Sequence, residues 1–66
     1  MNLTIETELE ADGRWIAELP GVLAYGATEQ EAAAKAEALA LRELANRLET
    51  GEQVPVDVTI RVQAAE

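Results

Sequence analysis

Two residue types that carry much of protein chemistry are missing from this sequence, which contains no cysteine and no histidine. Their absence excludes a disulfide framework, a thiol nucleophile and an imidazole base, and it removes common ligands of zinc and haem. Only two aromatic side chains are present, Trp15 and Tyr25, too few for a platform on which nucleic-acid bases stack. No apolar run approaches the roughly 18 residues of a membrane-spanning helix. We therefore expect no catalytic residues, no metal or other cofactor and no membrane partner.

Basic residues are also scarce, since five lysines and arginines stand against thirteen acidic residues, for a net charge of −8. This charge opposes direct binding to the phosphates of DNA or RNA. Two interpretations of the acidity stay open: simple solubility, or a surface that meets a basic protein partner. The N-terminus carries Glu6, Glu8 and Glu10 where a secretory signal needs a basic start and an unbroken apolar run. A cytoplasmic protein is therefore expected.

The first half of the sequence predicts a hairpin. A first strand, expected at about residues 2–11, alternates polar positions with the series Leu3, Ile5, Thr7 and Leu9. The dipeptide Asp12-Gly13 then marks a turn into a second strand at about residues 14–19. A two-residue loop would place Trp15 on the acidic face, whereas a three-residue loop with Gly13 in a bulge pairs Leu9 with Trp15. We favour the three-residue loop because it keeps the apolar side chains together.

Turn and cap signals divide the rest of the chain. Pro20-Gly21 separates the second strand from a short third one at about residues 22–26. Thr28 and Glu31 form a capping box, in which each side chain is expected to accept from the other residue's backbone N–H. The helix runs over about residues 29–49, ahead of Gly51, a suitable left-handed terminator. Alternating apolar residues then predict a fourth strand at about residues 55–63, where Pro55 suits a sheet edge.

The order β-β-β-α-β makes the helix a crossover between parallel strands. We predict a single domain, residues 1–66, with an α+β fold: one helix on one face of a mixed four-stranded sheet in the order 3-2-1-4. A chain of 66 residues lies in the range where one core gives marginal stability. Because one sheet face and both edges stay open, a homodimer is expected, formed through an edge or the free face.

The helix contains more apolar residues than would fit in one narrow stripe along its surface. A projection at about 100° per residue gives one continuous arc, expected to face the sheet: Ala33, Ala34, Ala38, Ala40, Leu41, Leu44, Ala45 and Leu48. Glu37 falls inside this arc, and Leu39 lies on the opposite side, near Ala32 and Ala36. Two interpretations of that side stay open. Leu39 is one tolerated surface leucine, or Ala32, Ala36 and Leu39 form a second interface for another chain.

Several motifs occur in a particular order and spacing: Asp12-Gly13, residues 15–18, Leu19-Pro20-Gly21, Gly26 with Thr28, and Glu31-Ala32 followed by Glu37-Ala38. In this arrangement most of the chain up to the middle of the helix resembles the HicB-like antitoxin domain. The resemblance implies a partial RNase H-like fold in a protein that binds and masks a HicA-type toxin, a basic mRNA interferase. Full-length HicB antitoxins usually add a DNA-binding domain, whereas this sequence ends directly after the fourth strand. We therefore expect a solitary N-terminal-type domain without DNA binding.

Three functions stay open at this point. The first is a non-enzymatic protein-binding module of HicB-like type, whose acidic strand face binds a HicA-like toxin or another basic protein; its candidate residues are Glu6, Glu8, Glu10 and Glu18. The second is an orphan structural domain that forms homodimers and has no toxin partner. The third and most remote is an RNase H-like metal-dependent nuclease, which the fold alone suggests, because the acidic residues form no convergent cluster in the sequence.

Overall fold

The chain forms a four-stranded sheet with one helix on one of its faces. A computed structural model describes residues 1–54 and 57–64. The elements in chain order are β1 (Asn2–Leu9), β2 (Trp15–Leu19), β3 (Val22–Gly26), α1 (Glu29–Glu49) and β4 (Thr59–Ala64). The sheet order is β3-β2-β1-β4, with β4 parallel to β1 and the other pairs antiparallel. The predicted α+β architecture and the predicted strand order are confirmed.

The hairpin between β1 and β2 has the predicted three-residue loop. Leu9 pairs with Trp15, and the Glu10 N–H donates to the Arg14 carbonyl at 2.7 Å. Gly13 has a φ of +89°, a left-handed conformation that a residue with a Cβ rarely adopts. This register confirms the prediction that Trp15, Ala17 and Leu19 share a sheet face with the odd-numbered residues of β1.

Strands β1 and β4 are shorter at one end than the sequence predicts. β1 ends at Leu9 rather than near residue 11, because Glu10 already belongs to the turn. β4 begins at Thr59 rather than near residue 55, because it pairs with β1, whose first paired residue, Asn2, lies opposite Thr59. Pro55 and Val56 lie outside the described residues. The expectation that Pro55 lies at a sheet edge therefore stays a prediction. β4 itself does form an edge of the sheet.

Both ends of α1 are capped by nearby residues. The Thr28 hydroxyl accepts from the Glu31 N–H at 3.0 Å, as a capping box requires. The Glu31 carboxylate does not complete the box, because it accepts from Lys35 Nζ at 3.1 Å instead. At the C-terminus the N–H groups of Gly51 and Glu52 donate to the carbonyls of Leu48 and Arg47. This is a Schellman motif, and Gly51 adopts its left-handed position with a φ of +87°.

The orientation of α1 about its own axis differs from the prediction. Its buried residues are Ala32, Ala33, Ala36, Ala40 and Leu44. The helix is therefore rotated by roughly 95° from the expected orientation, and only one border of the predicted apolar arc faces the sheet. The other border, which we expected in the core, is exposed; it includes Ala34, Leu41, Ala45 and Leu48.

Small residues on the sheet explain this rotation. The positions of β2 and β3 that face α1 include Ala17, Ala24 and Gly26, all buried. A Cβ built at Gly26 would lie 2.6 Å from the backbone N of Ala32, so strand and helix are nearly in backbone contact. At such a distance alanines fit between the two elements and leucines do not. The alanine side of α1 therefore faces the sheet, and most of the leucines do not.

The core lies between α1 and the middle of the sheet, where Ile5 and the Thr7 side chain are fully buried. α1 packs mainly on β2 and β3 and leaves the helix side of β4 largely uncovered. Two large apolar side chains are consequently exposed, those of Leu9 at the end of β1 and Val62 on β4.

Candidate protein-binding face

Within the described part of the chain, one face of the sheet carries no helix, and it is called here the open face. Successive side chains of a strand point to opposite faces, so the neighbours of the buried Ile5, Thr7, Ala17 and Ala24 point away from α1. The side chains on the open face include those of Glu6, Glu8, Arg14, Ile16, Glu18, Leu23, Tyr25 and Arg61.

The strand register arranges the centre of the open face in two rows that cross the strands. One row contains Glu8, Ile16 and Tyr25, and the next contains Glu6, Glu18 and Leu23. Side chains directly opposite each other in such rows have Cβ atoms about 5 Å apart. The carboxylates lie on β1 and β2, whereas the exposed apolar side chains lie toward β3.

Glu6 and Glu18 are a directly opposed pair of like charges. Such pairs destabilise an antiparallel sheet when nothing lies over them. Glu8 is exposed on the same face, and Glu10 is half-buried beyond the end of β1, where its backbone closes the hairpin. Of the four glutamates named from the sequence, the structure brings Glu6, Glu8 and Glu18 together and places Glu10 at the margin.

A short chain of contacts holds the aromatic ring on this face. The guanidinium of Arg14 lies 4.5 Å from the centre of the Tyr25 ring, a cation–π distance. Arg14 Nε also donates to Asp12 Oδ2 at 2.8 Å, and the Arg14 backbone N–H donates to Asp12 Oδ1 at 3.1 Å. These hydrogen bonds, that of the backbone first, lower the pKa of Asp12. The hairpin turn therefore holds the Arg14 guanidinium in place over Tyr25.

The apolar part of the open face, made of Ile16, Leu23 and Tyr25, was not predicted from the sequence. Ile16 is half-buried, and Leu23 and Tyr25 are exposed. The alternation along β2 contained this information, because Ile16 points to the sheet face opposite to that of Trp15 and Ala17. Continuing the register across Pro20-Gly21 would have placed Leu23 and Tyr25 beside the glutamates.

The structure does not support the interpretation that Ala32, Ala36 and Leu39 together form a second interface. Ala32 and Ala36 are both fully buried against the sheet, and only Leu39 is exposed. That interpretation was wrong because it assumed that the broad apolar arc faces the sheet, whereas the close approach at Gly26 brings the alanine side of α1 against the sheet.

Within residues 1–54 and 57–64, no three acidic side chains come close enough together to hold a metal ion. In the same part of the chain no helix is both long enough and apolar enough to cross a membrane.

Comparison with known proteins adds no assignment. No protein-family model matches the chain, and neither curated proteins nor solved structures give a match.

Proposed function

We propose that this protein is a non-enzymatic protein-binding module whose open face binds a basic protein in the cytoplasm. The observation that carries the proposal is the direct opposition of Glu6 and Glu18 on a sheet face that no element of residues 1–54 and 57–64 covers. A lysine or arginine placed over this pair would relieve the repulsion between the carboxylates and gain two charge-assisted hydrogen bonds. The pair therefore destabilises the free protein and becomes favourable only when a basic partner covers it.

The apolar side of the open face supports binding of a protein in particular. Interfaces derive most of their affinity from a few large side chains, tyrosine prominent among them, surrounded by a polar rim. Leu23 and Tyr25 supply such side chains, and Arg14 restrains the tyrosine ring. Glu6, Glu8 and Glu18 lie beside them and would set the orientation of the partner.

The resemblance to HicB-like antitoxins suggests the class of partner. A HicA-type mRNA interferase must present a basic surface to bind RNA phosphates, and an acidic face complements the same surface. The net charge of −8 would also accelerate the encounter at low ionic strength. We propose that the module masks a toxin of this kind by occupying its RNA-binding surface.

The test is a charge reversal on the open face. The variant Glu6→Lys/Glu18→Lys should weaken binding to a HicA-type toxin by a factor of about 100 or more, measured by calorimetry at several salt concentrations. The matched control is Glu49→Lys/Glu52→Lys, which changes the net charge equally at the exposed C-terminal end of α1. Co-expression with the toxin should rescue growth with the control variant and not with the open-face variant.

Two results would count against this function. If both double variants weaken binding equally, the effect is one of overall charge and the open face is not the site. If the unaltered protein neither binds the toxin nor rescues growth, the antitoxin assignment fails.

A further inference from the structure

The rotation of α1 leaves an apolar stripe on the side of the helix that faces away from the sheet. We call it the outer seam; its members are Ala34, Ala38, Leu41, Ala45 and Leu48. Leu41 is 46% exposed and Leu48 is 60% exposed, although a helix in a small domain normally turns its leucines inward. α1 is thus apolar on two sides, and its own sheet covers only one of them.

The spacing within the outer seam is four, three, four and three residues, which is the a/d pattern of a coiled coil. Leucine occupies the d positions at Leu41 and Leu48, and alanine occupies the a positions at Ala38 and Ala45. The sheet-facing alanines Ala32, Ala33, Ala36 and Ala40 fall at the b, c and f positions, and the buried Leu44 falls at a g position. No residue therefore belongs to both apolar sides of α1.

We propose that the outer seam pairs with the outer seam of a second copy of this chain, as a short parallel two-stranded coiled coil. This homodimer leaves the open face free, so it is independent of the function proposed above. Two heptads would be too short for isolated peptides, because helix nucleation is costly. Here each helix is already formed and capped on its own sheet, so association orders little additional backbone.

Charges beside the seam select the parallel orientation. In a parallel pair each g position faces the e position of the partner in the next heptad, so Glu37 faces Arg42 of the other copy. In an antiparallel pair e positions face e positions, and these are Lys35 and Arg42, which would repel. Among the ion pairs of residues 1–54 and 57–64, Lys35 is bonded to Glu31 and Arg47 to Glu43, while Arg42 has none. A second copy would supply its partner.

The surface beside the seam continues onto β4. The exposed side chain of Val62 lines a recess together with Ala34 and Glu37. α1 does not cover this part of the sheet, so the g side of the seam is flanked by further apolar surface. Association through the seam would bury part of that recess as well and add to the area removed from water.

Sedimentation equilibrium of the full chain tests the proposal. The unaltered protein should be a dimer at micromolar concentrations, and Leu41→Glu/Leu48→Glu should raise the dimer Kd at least roughly tenfold. The matched control is Leu39→Glu, on the same helix and 40% exposed but outside the seam, which should leave the Kd unchanged. Circular dichroism checks that all variants remain folded, as exposed positions should allow. A monomeric unaltered protein, or a dimer that only Leu39→Glu disrupts, would overturn the proposal.

The orientation has its own test, because the chain contains no cysteine. In a parallel pair Ala45 faces Ala45 of the other copy, so Ala45→Cys should form a disulfide-linked dimer in a glutathione redox buffer. The control Asn46→Cys, one residue further along the helix, should remain largely unlinked. An antiparallel pair would instead link Ala45→Cys to Ala34→Cys in a mixture of the two variants, and that result would contradict the parallel arrangement.

Discussion

The hydroxyl of Thr7, fully buried beneath α1, donates a 2.6 Å hydrogen bond to Glu29 Oε2 in the first turn of the helix. This bond joins the middle of β1 to the start of α1. Charge-assisted bonds of this length are among the stronger ones in proteins. It helps to seat the N-terminal end of the helix on β1, the strand that α1 otherwise contacts least among the three it covers.

Replacing Thr7 by valine should lower the free energy of unfolding by about 1–2 kcal/mol, because the side-chain shape is kept and the donor is lost. Chemical denaturation measures the change. Thr4→Val, on the open face of the same strand, is the control and should stay within about 0.5 kcal/mol. A double-mutant cycle with Glu29→Ala should show coupling between the two side chains; independent effects would mean that the bond contributes nothing.

Gly26 should not tolerate a side chain. Gly26→Ala places a Cβ 2.6 Å from the backbone N of Ala32, so the variant should lose about 1–3 kcal/mol of stability or shift the helix. The second variant Gly26→Ala/Ala32→Gly should not recover the loss, because the clash involves the backbone of Ala32 rather than its side chain. Recovery in the double variant, seen in thermal unfolding, would show that strand and helix are less closely packed.

Neutralising one member of the Glu6 and Glu18 pair should change the stability of the free protein and its affinity for the partner in opposite directions. Glu18→Gln removes a cross-strand repulsion and should stabilise the free protein by a few tenths to about 1 kcal/mol. The same change should weaken binding to the basic partner, since one carboxylate of the pair is lost. Glu52→Gln, which lies outside the sheet, serves as control and should alter neither quantity. A stabilised protein that binds the partner more tightly would contradict the proposed use of this pair.

The stability that the hairpin turn contributes through Asp12 should fall at low pH. The pKa of Asp12 is lowered in the folded state by its bonds from Arg14, from an ordinary value of 3.8. Its contribution to stability is therefore complete above that value and is lost as the pH falls through the lowered pKa. An NMR titration of the Asp12 carboxyl should show the lowered midpoint, and Arg14→Ala should bring it back toward the ordinary value. Arg61→Ala, on the edge strand β4 and away from the hairpin turn, should leave the midpoint where it is.

Much of the fold could be predicted because it depends on short-range patterns. The alternation in β1 and the φ requirement at Gly13 together set the hairpin register, since a shift by one residue would turn Trp15 toward the glutamates. Thr28 and Gly51 mark the helix ends for equally local reasons. The start of β4 was misplaced because it depends on where β1 begins, which the sequence of β4 does not contain.

The candidate binding face could be predicted in part. Alternation within β1 is enough to place Glu6 and Glu8 on one side of the strand. The direct opposition of Glu6 and Glu18 also follows from the predicted register of the first hairpin, whereas the contributions of Leu23 and Tyr25 depend on β3 pairing with β2.

The sequence by itself determined the number, kind and order of the elements and the register of the first hairpin, because periodicity and turn chemistry act over a few residues. Only the tertiary structure decided which side of α1 meets the sheet. Ala17, Ala24 and Gly26 come together on one surface when β2 pairs with β3, and their small size draws the alanine side of the helix inward. That choice buries Ala32 and Ala36 and leaves Leu41 and Leu48 exposed on the outer seam.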